Sequence, residues 1–169
     1  IRKDGTWHAI EYNIRLGVTT TALLLRMLKN PVKVLLEVVA NQNPVPEWNP
    51  KRFFGCTLTL AGYGYPFTVP SVPKLPVEVS SPLECDLWWN EVDEEDGSLF
   101  MANHLNSEMG HRIADVNACA TNMSSAVKKI ETEMKKLRCL GSYYRLDLKE
   151  LSEKYFSQMS SKNGSLENL

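Results

Sequence analysis

The sequence lacks any apolar run near the length of a membrane span. A crossing helix needs about 20 consecutive apolar residues, and the longest stretch here, Val34 to Ala40, is broken by Glu37. It also lacks an excess of charge of either sign, with 19 Lys and Arg against 20 Asp and Glu and a net charge of -1. A chain balanced in this way is not built as a whole for nucleic acid or an anionic membrane surface, so neither is expected as a partner. Cysteine is sparse: Cys56, Cys85, Cys119 and Cys139 stand singly, with no CxxC pair. That is too thin for the disulfide framework of a small secreted domain, and reduced thiols in an intracellular protein, cytoplasmic or nuclear, are expected instead. The chain begins at Ile1 rather than Met, as a fragment or processed chain would, so the missing signal peptide at this end proves little.

Local catalytic signatures are missing as well. There is no GxSxG, no P-loop and no GxGxxG, and Gly62-Tyr-Gly64 lacks both the remaining glycine and a following helix. His8, His104 and His111 have no ligand spacing with one another or with the cysteines, so no metal is expected. In the acidic segment Glu91 to Gly97, taking Gly97 as the sixth position of a calcium loop puts Val92 and Asn103 at its ends. An EF-hand needs oxygen ligands there, so a solvated acidic turn is the better reading. On these grounds no catalytic residue, no cofactor and no enzymatic activity is expected. A site can still assemble across a fold without a local motif, and Cys56, His104 and Glu91 are the dispersed candidates for an enzyme or regulatory subunit.

What the chain does have is periodicity. Ile10, Tyr12, Ile14 and Leu16 alternate with polar residues and predict a half-buried strand closing at Gly17. Thr19 to Leu28 reads as a short helix ended by Asn30-Pro31, since the residue before proline disfavours the α region. Val32 to Ala40 suits either a helix started by Asn30 and Pro31 or a buried strand, and is taken as strand. Arg52 to Leu60 and Cys85 to Trp89 read as strands, joined through a Gly/Tyr/Pro turn and a proline-rich crossover at Pro70, Pro73 and Pro76. Trp88 and Trp89 are adjacent strand residues facing opposite sides, so either the sheet is sandwiched or one ring belongs to a partner surface.

The most prominent pattern is an apolar seam in 4-3 spacing: Met109, Ile113, Val116, Ala120, Met123, Val127, Ile130, Met134 and Leu137. It predicts a long amphipathic helix over about four heptads, packed either on its own head or on another polypeptide. The flanking pairs of a parallel homodimer are unhelpful apart from Glu133 with Arg138, so a different partner subunit is expected rather than self-pairing. Lys128, Lys129, Lys135 and Lys136 lie opposite the seam. A solvated face is expected there, with phosphate contact as the alternative.

The expected fold is therefore α+β. A small mixed or antiparallel sheet head over 1–97 is followed by a helical arm over 98–159, made of the long heptad helix and a shorter C-terminal helix, and by a flexible polar tail over 160–169. The element order is similar to RWD and ubiquitin-conjugating-enzyme-like modules, but the His-Pro-Asn signature and active cysteine are absent, so that resemblance implies a binding role. The resulting reading is a non-catalytic scaffold or interaction subunit of a multiprotein assembly, binding another protein through the seam, Trp88 and Trp89. The alternatives are the enzyme or regulatory subunit above and a nucleic-acid-binding module using the lysine face.

Overall fold

Two Asp-Gly pairs set the tight hairpins of the chain. The computed structural model describes residues 2–7, 17–67, 74–102 and 112–166. At its start β1 (Arg2–Lys3) turns into β2 (Thr6–Trp7) through Asp4 and Gly5, at φ 51° and 77°. Two consecutive positive φ values mark the hairpin turn whose twist matches its strands. Helix α1 (Val18–Met27) follows as expected, then α2 (Pro31–Val39). The expected strand over 32–40 is thus a helix, because Pro31 sits at its first turn, where a missing N–H costs nothing. None of the α2 residues is buried, and Val32, Leu36 and Val39 are 67%, 64% and 85% exposed.

A short 3-10 turn at Pro50–Arg52 leads into β3 (Phe54–Ala61). Then come β4 (Pro76–Val79), β5 (Asp86–Trp89), β6 (Val92–Glu95), β7 (Ser98–Met101) and β8 (Arg112–Ala120). Helix α3 (Met123–Met134), β9 (Leu137–Cys139) and α4 (Leu148–Leu166) complete the described chain. The acidic segment expected as a turn is mostly strand: β6 and β7 form an antiparallel hairpin, and its Asp96-Gly97 turn again has positive φ at both residues.

The strands form a three-stranded sheet of order β3-β8-β5 and a four-stranded sheet of order β6-β7-β4-β9, antiparallel throughout. The α+β class and the antiparallel head match the sequence-based expectation. No long heptad helix is present among the described residues. The segment expected to hold it forms β7, β8, α3 and β9 in the described residues, and α3 spans 12 residues. The expected strand from Ile10 to Leu16, Met109 and all three histidines lie outside the described residues. Helix α4 continues to Leu166, through most of the segment expected as a tail.

The physical reason for the misread seam is the position of β8. It pairs with β3 on one side and β5 on the other, and both its faces are covered, so alternation is confined to Ala114–Ala118, with Ile113 and Cys119 apolar on the face that carries Asp115 and Asn117. A strand buried on both faces loses the period-2 signal. Thr121 and Asn122 then bend the chain, and Asn122 caps α3 by accepting a hydrogen bond from Ser125 N at 2.8 Å. The seam residues are buried inside this chain: Ile113, Val116, Ile130 and Met134 are 0% exposed and Val127 is 3% exposed. Val116, Cys56, Leu58 and Leu60 pack with Ala126, Val127 and Ile130 in one core, which Val77, Met101 and Leu137 of the second sheet share. Ala120 and Met123 pack at its margin. On the opposite face α1 lies tight on β3, and a Cβ on Gly55 would fall 2.7 Å from Leu23 Cδ1.

Glu133 ties α3 to the start of β5. Its carboxylate is buried, accepts a hydrogen bond from Glu84 N at 2.7 Å and pairs with Lys136 Nζ at 2.9 Å. Lys136 also donates to Pro82 O, so this member of the lysine face holds the fold together. Desolvation pushes the Glu133 carboxyl up, but the hydrogen bonds from Lys136 and Glu84, with the lysine charges, outweigh it and hold its pKa below the ordinary value.

Two predictions follow from this packing. Val127→Asp or Ile130→Asp puts an unpaired carboxylate into the chain's own core and should cost at least about 3 kcal/mol. Thermal unfolding should show the whole chain melting roughly 6–12 °C lower; an unchanged melting temperature would mean the seam faces outward. The depressed Glu133 pKa makes its contribution complete above the ordinary glutamate value of 4.5, and that contribution is lost as pH falls through the folded-state value. Urea midpoints measured across acid pH should therefore fall less steeply in Glu133→Gln than in the wild type.

Candidate functional site

The second face of the β3-β8-β5 sheet is polar, and its residues meet by register. Thr57 and Thr59 of β3 lie opposite Asn117 and Asp115 of β8, which lie opposite Asp86 and Trp88 of β5. Helix α1 packs over β3 and β8 on this face. Between α1 and the edge strand β5 runs a groove.

Asp115 is fully engaged at its base. Thr59 Oγ1 donates to one carboxylate oxygen at 2.5 Å, and Asn90 Nδ2 and Arg112 Nη2 donate to the other at 3.0 and 2.7 Å. Three donors on a buried carboxylate balance its desolvation, so Asp115 is a structural anchor rather than a free base. Asn117 is different. It is 2% exposed, and neither its Nδ2 nor its Oδ1 has a protein partner among the described residues. A buried amide left unpaired costs about 1–3 kcal/mol, an expense that native folds seldom carry without a reason.

Asn117 lines both compartments of the groove. One, of about 100 Å³, is lined by Arg26, Arg52, Lys129, Glu84, Asp86, Cys85 and Cys119. The other, of about 290 Å³, has apolar walls from Val18, Ala22, Leu25 and Trp88, with Thr19, Thr21, Asn90 and Asp115 at its margins. In the small compartment Arg26 reaches from α1 to β5 and grips Asp86 through two parallel hydrogen bonds of 2.6 Å. That pairing raises the Arg26 pKa, through the hydrogen bond first and the Asp86 charge second. Arg52 and Lys129 make no ion pair with a described residue, which leaves net positive charge beside the Asn117 amide. A hollow of about 360 Å³ between α3 and α4 is larger, but its polar rim of Lys128, Glu131, Lys149 and Glu153 is exposed or half-exposed, without a buried polar group turned toward a ligand.

The candidates taken from the sequence fare unevenly. Trp88, 55% exposed, forms a wall of the groove, while Trp89 on the other face is 36% exposed. Cys56 belongs to the apolar core beside α3, and burial pushes its thiol up to about 12. Cys85 is pushed up to about 11, again mainly by burial, and Cys119 and Cys139 shift the same way for the same reason. None of the four is an activated thiolate. Glu91 accepts a hydrogen bond from Arg112 N, and His104 is outside the described residues. Among the described residues no group of three or more His, Cys, Asp or Glu is arranged to hold a metal ion. No described helix is long and apolar enough to cross a membrane. The lysine face divides: Lys129 lines the small compartment, Lys128 the α3–α4 hollow, and Lys136 is bound to Glu133. Sequence reasoning missed Asp115, Asn117, Arg26, Arg52 and Asp86. Two polar residues spaced by two in a run of small apolar ones were the available signal for a central strand with one polar face.

No family model matches the chain. Over 146 residues it is 25% identical to the phosphoribosylamine–glycine ligase of Chlorobaculum tepidum, a match covering 85% of this chain and 33% of that protein. Its fold matches the crystal structure of phosphoribosylamine–glycine ligase from Thermotoga maritima with a TM-score of 0.64 and 25% identity, over 85% of this chain and 34% of that one. The chain thus spans about a third of the length of the relatives it matches. Both relatives are enzymes by name, which overturns the reading as a non-catalytic scaffold subunit and favours the enzyme-related alternative.

Proposed function

We propose that the chain is a domain of an enzyme that joins a small amine to a carboxylate, as the name phosphoribosylamine–glycine ligase describes, and that the cationic compartment takes the anionic end of a substrate. The observation that carries this reading is the match in both sequence and fold over 85% of the chain. The groove adds the chemistry. A phosphorylated amine brings a phosphate and an amino acid brings a carboxylate, and both suit guanidinium and ammonium donors. Arg52 and Lys129 supply that charge, while Arg26 is already committed to Asp86 and acts as the strap between α1 and β5.

The reading also gives α2 a role. A nine-residue helix is too short to be stable by itself in water, and its exposed Val32, Leu35, Leu36 and Val39 form an apolar surface. In this account further ligase polypeptide, equivalent to the two thirds of the relatives outside the match, covers that surface.

The test is an amide-forming assay on the polypeptide carrying this chain, supplied with phosphoribosylamine, glycine and a nucleoside triphosphate, with the product followed by mass spectrometry. Arg52→Ala and Lys129→Ala alter exposed or half-exposed side chains, so folding should survive. Each should raise the KM of the anionic substrate roughly tenfold or more, the size of one lost charge-assisted hydrogen bond. Absence of amide product, together with no binding of glycine or inorganic phosphate by calorimetry, contradicts the proposal.

A further inference from the structure

We infer that an ordered water molecule bridges the Thr57 hydroxyl of β3 and the Asn117 side-chain amide of β8, as a fixed part of the sheet's polar face. This stands apart from the ligase reading and does not depend on it. Thr57 and Asn117 are directly opposite in the register, which puts their Cβ atoms about 4.5–5.5 Å apart, as in antiparallel pairs generally. Thr57 Oγ1, Asn117 Nδ2 and Asn117 Oδ1 are all shut off from solvent, and none has a hydrogen-bond partner among the described residues. The two side chains thus face one another without bonding directly. Strand spacing is not the obstacle, because Thr59 and Asp115, the next pair on this face, bond directly. A single orphaned polar atom is costly. Several side by side form the polar lining that a buried water needs, with its roughly two to four hydrogen bonds.

Charge and hydrogen bonding select water over an ion. Arg26, Arg52 and Lys129 line the small compartment with Asn117, which disfavours a cation between the two side chains. An anion would accept from Thr57 Oγ1 and Asn117 Nδ2 but would give Asn117 Oδ1 no donor. A neutral molecule that both donates and accepts satisfies the hydroxyl and the amide together, and at cross-strand spacing that molecule is water. The compartment also gives it a way in. Its volume is about 100 Å³, whereas a single water needs only roughly 10–15 Å³.

A crystal structure of the polypeptide carrying this chain, at a resolution that shows ordered solvent, is the direct test. Water is expected within hydrogen-bonding distance of both Thr57 Oγ1 and the Asn117 amide. Thermal unfolding reads the same bridge through the sign of its response. With the water in place, Thr57→Val and Asn117→Leu each break a hydrogen bond and should lower the melting temperature by about 2–4 °C. The double variant should lose less than the sum of the two, because the second change falls on a bridge already broken. Without the water, each single change removes an orphaned polar atom and should leave the melting temperature unchanged or higher. If Asn117→Leu fails to fold, Thr57→Val, which exchanges one hydroxyl for a methyl, still decides the matter together with the crystal structure. No water touching both groups, or a protein atom seated between them, overturns the inference. Single variants that melt at or above the wild-type temperature overturn it as well.

Discussion

Everything in this fold depends on β8 lying between β3 and β5. A central strand satisfies its backbone donors and acceptors on both sides, so its side chains alone decide what happens above and below the sheet. Below, Ala114, Val116 and Ala118 are small enough to bring α3 close, and α3 answers with Ala126, Val127 and Ile130. Above, Asp115 and Asn117 put polar groups where water is excluded, and the structure must supply partners. It does so for Asp115 through residues from three different segments of chain, which fixes the ends of β3, β5 and β8 relative to one another. It does not do so for Asn117 among the described residues, and the groove passes that point.

Local signals in the sequence were legible where they were uncontested. Helix α1, bounded by Gly17 and Asn30-Pro31, and strand β3, with Cys56, Leu58 and Leu60 on one face, follow from period and punctuation alone. The errors share a cause, which is burial or exposure decided by distant chain. Helix α2 is apolar yet exposed, so its pattern resembled a buried strand. Strand β8 alternates only from Ala114 to Ala118, and Ile113, Val116 and Ala120 happen to fall on a helical spacing that continues by accident into α3. The Asp96-Gly97 hairpin carried a clear turn signal, but four acidic residues around it drew the reading toward a solvated turn. For the candidate site, the types of residue were visible and their company was not. Nothing local links Arg26 to Asp86, 60 positions apart, or Thr59 to Asp115, 56 apart.

The chemistry follows from the same arrangement. Among the described residues the thiols have raised pKa values and the central carboxylate is satisfied, so none of these groups is an activated nucleophile or a free base. What the groove presents is cations, an amide and an aromatic wall. The apolar surface of α2 is separate from that groove and exposed.

Nuclear magnetic resonance of the isotopically labelled chain tests the central claim most directly, through the conformation of residues 112–134. The account predicts strand chemical shifts from Arg112 to Ala120, cross-strand contacts from Asn117 to both Thr57 and Asp86, and a change to helical shifts only after Asn122. Amide exchange should be slowest in β8, the central strand of this sheet. Continuous helical shifts from Arg112 through Met134, without those contacts, would contradict the central strand and the groove built on it.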